Sequence, residues 1–144
     1  MSKISEKFSK ASKSYLEYAI VQNEIAEILL KEINLDFFKN KNSFKVLDIG
    51  CGPGNFTKLL NDKIIQNINN YKIFAFDISE EMIKIAQQNQ KNQINPNIFF
   101  FNSDGENFEE LLKIQNNSKE LIFCDEEKFD IIASNSTIQW FENF

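Results

Sequence analysis

One glycine loop and three acids carry the chemistry available to this chain. Val46-Leu47-Asp48-Ile49-Gly50-Cys51-Gly52-Pro53-Gly54-Asn55 sets an acid just before three closely spaced glycines. Glycine lets a backbone turn tightly and come close to a ligand. Pro53 has no N–H, whereas a pyrophosphate cradle is built from backbone N–H groups. The third glycine of a G-x-G-x-x-G dinucleotide loop would fall on Asn55, which is not glycine. Asp48 repels phosphates and suits a cation. Asp77 and Asp104 each end or follow a short apolar run. Asp77 can accept from both hydroxyls of a ribose. Asp104 falls within reach of an adenine amino group. Together these features fit a ligand with a nucleoside and a positive charge but no phosphate. S-adenosyl-L-methionine (SAM) has that chemistry: a sulfonium, an ammonium and an adenosine.

What the sequence lacks narrows the reading further. It contains no His, which removes a Ser/His/Asp triad, a Cys/His pair and any histidine metal site. All 16 basic residues are Lys, so no guanidinium fork can grip a carboxylate or phosphate. The wealth of Lys, Asn, Ile and Phe is that of an AT-rich coding sequence. A net charge of -5 with no basic cluster gives no support to nucleic-acid binding. Cys51 and Cys124 are not a disulfide framework, and neither has a base to make it a nucleophile. No apolar run approaches the ~20 residues a bilayer requires, and the opening MSKISEKFSK has no signal-peptide core. A reducing, cytoplasmic setting is therefore expected.

The elements that must position these residues follow from periodicity. Ala11, Tyr15, Tyr18, Gln22, Ile25, Leu29 and Ile33 recur at helical steps. The polar stretch 34–43 ends that helix. Short apolar runs over 44–49, 72–76, 98–101 and 129–134 read as strands. Helical spacing returns over 55–65, and Ser79 is a natural cap for a helix to about Lys91, with Glu80 and Glu81 favoured in its first turn. Residues 105–128 are the least readable: 108–114 suits a helical turn or two, and 121–124 a short extra strand. Strands alternating with helices imply an α/β domain with a parallel sheet, and open sheets of that kind bind ligands at the C-terminal ends of their strands. All three acids fall there.

The chain resembles the class I SAM-dependent methyltransferases. Asp48-Ile49-Gly50-Cys51-Gly52-Pro53-Gly54 is similar to their first motif, Phe76-Asp77-Ile78-Ser79-Glu80-Glu81-Met82 to their second, Asp104 to the adenine position of the third, and 128–135 to their fourth strand. The resemblance implies a Rossmann-like sheet and SAM contacts from Asp48, Gly50, Cys51, Gly52, Gly54, Asp77, Ile78, Met82, Asp104 and Asn135. It implies a helical cap over residues 1–43 and a SAM-binding domain over 44–144. The family's sheet has seven strands; only the first four can be placed here, in the order 3-2-1-4. The expectation is thus the N-terminal half of the fold, with strand 4 open at the edge and prone to self-association.

A narrower resemblance lies at the two ends. Phe8-Ser9-Lys10-Ala11-Ser12-Lys13-Ser14-Tyr15, with Val21-Gln22, is similar to the first helix of the malonyl-acyl-carrier-protein O-methyltransferases of biotin synthesis. Ser134-Asn135-Ser136-Thr137-Ile138-Gln139-Trp140 resembles their segment after strand 4. Trans-aconitate methyltransferases share the Gln-Trp ending. The resemblance implies an acceptor pocket lined by Tyr15, Gln22, Asn135 and Trp140, with acyl carrier protein or a small carboxylate as partner. Gln22 also suits a satisfied core amide, and Trp140 a packing residue. Another small-molecule methyltransferase and a non-catalytic SAM-binding fragment or subunit stand as alternatives.

Overall fold

The computed structural model describes residues 19–91, 95–104 and 128–135. The chain divides into two compact units, Met1–Ile33 and Asn34–Phe144. In the first, residues 19–32 form helix α1, as the spacing predicts.

The second unit opens on a 3₁₀ turn, Leu35–Phe38, where the sequence suggests only a polar stretch. The Asn34 side chain caps it by accepting from the Asp36 N–H at 3.0 Å, and Leu35 is buried. Then come β1 (Phe44–Ile49), α2 (Asn55–Ile64), β2 (Tyr71–Asp77), α3 (Glu80–Lys91), β3 (Ile98–Asn102) and β4 (Ile131–Ala133). All strand pairings are parallel, and the sheet order is β3-β2-β1-β4. Chain and fold class therefore agree with the sequence reading. Phe44 to Ile49 pair with Tyr71 to Phe76, and Ile73 to Asp77 with Ile98 to Asn102. Val46 to Asp48 pair with Ile131 to Ala133.

β1 and β2 are central and buried almost throughout, as near-continuous apolar strands must be. Alternation along the strands sorts the side chains onto two faces. Leu47, Phe74 and Phe76 share one face with Ile49, Phe99, Phe101 and Phe129. Their rings stack and tilt against one another, Phe74 on Phe99 at 5.3 Å and Phe76 on Phe101 at 5.8 Å. Cys51, Ala75, Ile83 and Phe100 belong to the other face. Two successive right-handed crossovers in the same direction put α2 and α3 on one side of the sheet. α3 begins as expected: the Ser79 hydroxyl accepts from the Met82 N–H at 3.3 Å, with Glu80 and Glu81 in the first turn.

β4 is shorter than the run 129–134 suggests, because its flanks are engaged otherwise. Phe129 packs edge-on against Phe74. The Asp130 carboxylate accepts from the Lys45 N–H at 2.9 Å and pairs with the Lys41 ammonium. The Ser134 hydroxyl donates to the Ile49 carbonyl at 3.0 Å. β2 is longer than expected at both ends. Tyr71 joins the ladder opposite Phe44, its hydroxyl donating to Asn61 Oδ1 at 2.7 Å, and Asp77 joins it opposite Asn102. The expected elements within 105–128 lie outside the described residues.

Candidate cofactor site

The C-terminal ends of β1, β2 and β3 lie side by side, and the glycine loop rises from the first. Gly50, Gly52 and Gly54 all have positive φ (68°, 53° and 87°), which only glycine adopts without strain. Their neighbourhoods differ. A Cβ on Gly52 would meet nothing within 4 Å, so the backbone there faces open space. A Cβ on Gly54 would meet the Phe100 ring at 3.0 Å and the Ala86 methyl at 3.3 Å. Gly54 is thus the residue that lets α2 start close against β3 and α3.

The loop's N–H groups are turned inward. Cys51 N–H donates to the Phe76 carbonyl at 2.9 Å, Gly52 N–H to Asp77 Oδ2 at 2.9 Å, and Gly54 N–H to the Cys51 carbonyl at 3.0 Å. Pro53 has none to offer. A phosphate cradle needs N–H groups aimed at the anion, and these are spent on the protein itself.

Asp77 is the keystone of the arrangement. Its second oxygen accepts from the Ser79 N–H at 2.8 Å, so one half-buried carboxylate holds the glycine loop and the start of α3 together. Each oxygen has a further lone pair, so the carboxylate retains capacity for ribose hydroxyls. Asn102, which the sequence reading passed over, donates its side-chain amide to the carbonyls of Asp77 and Ile78 at 2.8 and 2.9 Å. The Ser103 N–H donates to the Asp77 carbonyl at 3.1 Å, and Asp104 follows half-buried. Ile78 and Met82 are exposed beside the loop, at 72% and 37%.

Asp48 departs from the picture of an open, cation-facing acid. It is 1% exposed, flanked in the sheet by Ala75 and Ala133. Its Oδ2 accepts the Thr57 hydroxyl at 2.6 Å, and its Oδ1 has no partner. Burial raises its pKa to about 7, against the lowering effect of the Thr57 hydrogen bond and with a further push from Asp77. Cys51 is buried, its thiol raised by burial, Asp48 and Asp77, which makes it a packing residue rather than a nucleophile. Asn135 is half-buried just past β4, and Gln22 half-buried on α1. Tyr15, Trp140 and Cys124 lie outside the described residues. Among the described residues no three acids or cysteines gather to hold a metal ion.

A cavity of about 700 Å³ lies away from these acids, between α2, α3 and the turn before β3. Asn61, Asp62, Asn89 and Gln90 line it over a floor of Ile98 and Phe100. The loop reaches it only through Pro53, Gly54 and Asn55. Its volume could hold a ligand, but the convergent acids and the open face of Gly52 favour the strand ends.

A methyltransferase-domain family profile matches residues 40–144. The chain belongs to that methyltransferase family. S-adenosyl-L-methionine is the cofactor of the class, and the donor set fits it: a buried carboxylate oxygen without a partner suits a cation, and inward N–H groups leave no phosphate cradle. Among curated proteins, this methyltransferase chain is 30% identical over 141 residues to malonyl-[acyl-carrier protein] O-methyltransferase 1 of Ilyobacter polytropus, covering 98% of this chain and 43% of that protein. It is 35% identical over 136 residues to the malonyl-[acyl-carrier protein] O-methyltransferase of Acetivibrio thermocellus, covering 94% and 39%. The chain thus spans less than half the length of these relatives. A crystal structure of a candidate SAM-dependent methyltransferase from Methanococcus maripaludis shares the fold, with a TM-score of 0.56 at 22% identity over 96% of this chain and 51% of that one. No helix among the described residues is long and apolar enough to cross a membrane.

Proposed function

We propose that this chain acts in methyl transfer from SAM to the free carboxylate of a malonyl thioester carried on acyl carrier protein. The observation that carries the cofactor half of this reading is the inward-turned glycine loop clamped by Asp77. Support for the acceptor comes from two relatives of that printed name, which match 98% and 94% of the chain. Bound SAM would supply the electrophilic methyl on a sulfonium. Asp77 and Asp104 would hold its ribose and adenine, and the charge of Asp48 would favour its cationic end. Tyr15, Gln22, Asn135 and Trp140 are the proposed acceptor-side residues.

The chemistry asks little of the protein. A carboxylate is already ionised at neutral pH, so no general base is needed, and the absence of His is no handicap. What remains is to hold oxygen, methyl carbon and sulfur in line and to exclude water. With no Arg, only the point charge of a Lys can attract the acceptor carboxylate from within this chain.

Calorimetry with SAM, followed by incubation with malonyl-acyl carrier protein and mass detection of a methyl ester, tests this reading. Asp77→Ala should weaken SAM binding by about 1–3 kcal/mol, the scale of lost charged hydrogen bonds. Equal affinity in both proteins would refute the ribose assignment. A preference for NAD over SAM would overturn the cofactor. Methylation of trans-aconitate in place of the malonyl thioester would reassign the acceptor.

A further inference from the structure

The hydrogen bond between Thr57 and Asp48 joins the two ends of the glycine loop. Asp48 sits near the end of β1, and Thr57 in the first turn of α2. Thr57 is 0% exposed and Asp48 1%, so water competes for neither. The bond is short, 2.6 Å from Oγ1 to Oδ2, as a hydroxyl on an ionised carboxylate should be. The other oxygen, Oδ1, is buried without a partner. A buried acid left half-satisfied is costly, and such an exception calls for a reason.

The charges around it give no relief. The titratable groups that bear on Asp48 are Asp77 on β2 and the Cys51 thiol in the loop, neither of which is a cation. Its sheet neighbours are alanines. Lys58, next to Thr57, is exposed and paired with Asp62 at 2.7 Å on the outer side of α2. Among the described residues the Thr57 hydroxyl is thus the one group that stabilises the ionised form.

We propose that Thr57 is a positioning residue for the cofactor: its hydroxyl fixes the Asp48 carboxylate at the base of the loop and keeps it charged for a cationic ligand. This rests on the SAM reading above. The reason a hydroxyl is needed is electrostatic. A cation at the loop gains from Asp48 only when Asp48 is ionised, and burial alone disfavours that state. Burial has already brought its pKa to about 7, so loss of the one opposing hydrogen bond leaves it largely protonated at neutral pH.

The test is SAM affinity by calorimetry from pH 5.5 to 9, using the whole chain. Wild-type affinity should rise as pH climbs through about 7. Thr57→Val, nearly the same shape, should shift that rise upward by roughly one pH unit and weaken binding about fivefold at pH 7. Thr57→Ser should restore the wild-type profile. In an Asp48→Asn background the profile should be flat, and adding Thr57→Val should change nothing further. Thr57→Ala replaces the valine variant if thermal unfolding shows the latter is not folded. A valine profile that overlays the wild type overturns the proposal, and so does an equal loss in the Asp48→Asn background, which would make Thr57 merely structural. If the folded wild type binds no SAM at any pH, the SAM reading itself fails.

Discussion

Asp48 sets function against stability at a single residue. The folded chain binds a proton on this buried acid more tightly than the unfolded chain does, since its pKa is raised from 3.8 to about 7. Between those values the folded state holds a proton that the unfolded state has released, so stability falls as pH rises through the window. Above about pH 7 the buried charge costs on the order of 4 kcal/mol. Asp48→Asn removes that cost and keeps an oxygen for Thr57, but leaves an amide without a partner, at about 1–3 kcal/mol. The mutant should therefore unfold at a higher temperature than wild type at pH 8, lose this advantage at pH 4, and bind SAM more weakly. Thermal melts at the two pH values check the sign. A mutant that is less stable at pH 8 would show that the charge is compensated.

At the level of elements, the glycine loop joins three pieces of structure through different contacts. Gly54 serves packing and Gly52 serves access, although both have positive φ. Gly54→Ala forces a methyl against Phe100 and Ala86, where α2, α3 and β3 meet. Overpacking of this kind costs about 1–3 kcal/mol, beyond the strain of a left-handed alanine. Gly52→Ala carries only that strain, about 1–2 kcal/mol, but its methyl enters the open space where the ligand is proposed to lie. Denaturant unfolding should rank Gly54→Ala as the less stable variant, while calorimetry should rank Gly52→Ala as the poorer SAM binder. The reverse ranking in both would mean the loop faces the other way. The spacing of glycines was plain in the sequence, but their separate duties were not. Phe100 and Ala86 lie far along the chain from Gly54, and Phe100 reaches it only once β3 has paired with β2.

For the whole molecule, the open question is the β4 edge. Among the described residues β4 pairs only with β1, and Ile132 at its centre is 62% exposed. Edges without Lys, Pro or a bulge recruit other strands. Residues 1–144 alone should elute above monomer size, increasingly so at higher concentration, and Ile132→Lys should shift the population toward monomer. A monomer at every concentration would show the edge to be protected. The Asp130 carboxylate, which ties the entry of β4 to Lys45 and Lys41, does not blunt this edge, because it faces β1.

Fold class and the alignment of Asp48, Asp77 and Asp104 at strand ends were legible in the sequence, because they depend on local patterns, whereas the strand order 3-2-1-4 came from the resemblance to the class I methyltransferases. Apolar runs make buried strands and turn residues end them. Pro53 likewise argued against a phosphate cradle without any coordinates. What each acid does once there depended on the tertiary structure. Burial of Asp48 follows from alanines on both neighbouring strands, a matter of register. The bond from Gly52 to Asp77 links positions 25 apart, and the contacts of Asn102 link it to Asp77 and Ile78 by strand pairing. A sequence shows which residues can bear charge or donate a hydrogen bond. Which of them lose their water, and to whom, is decided by the packing that brings distant strands into register.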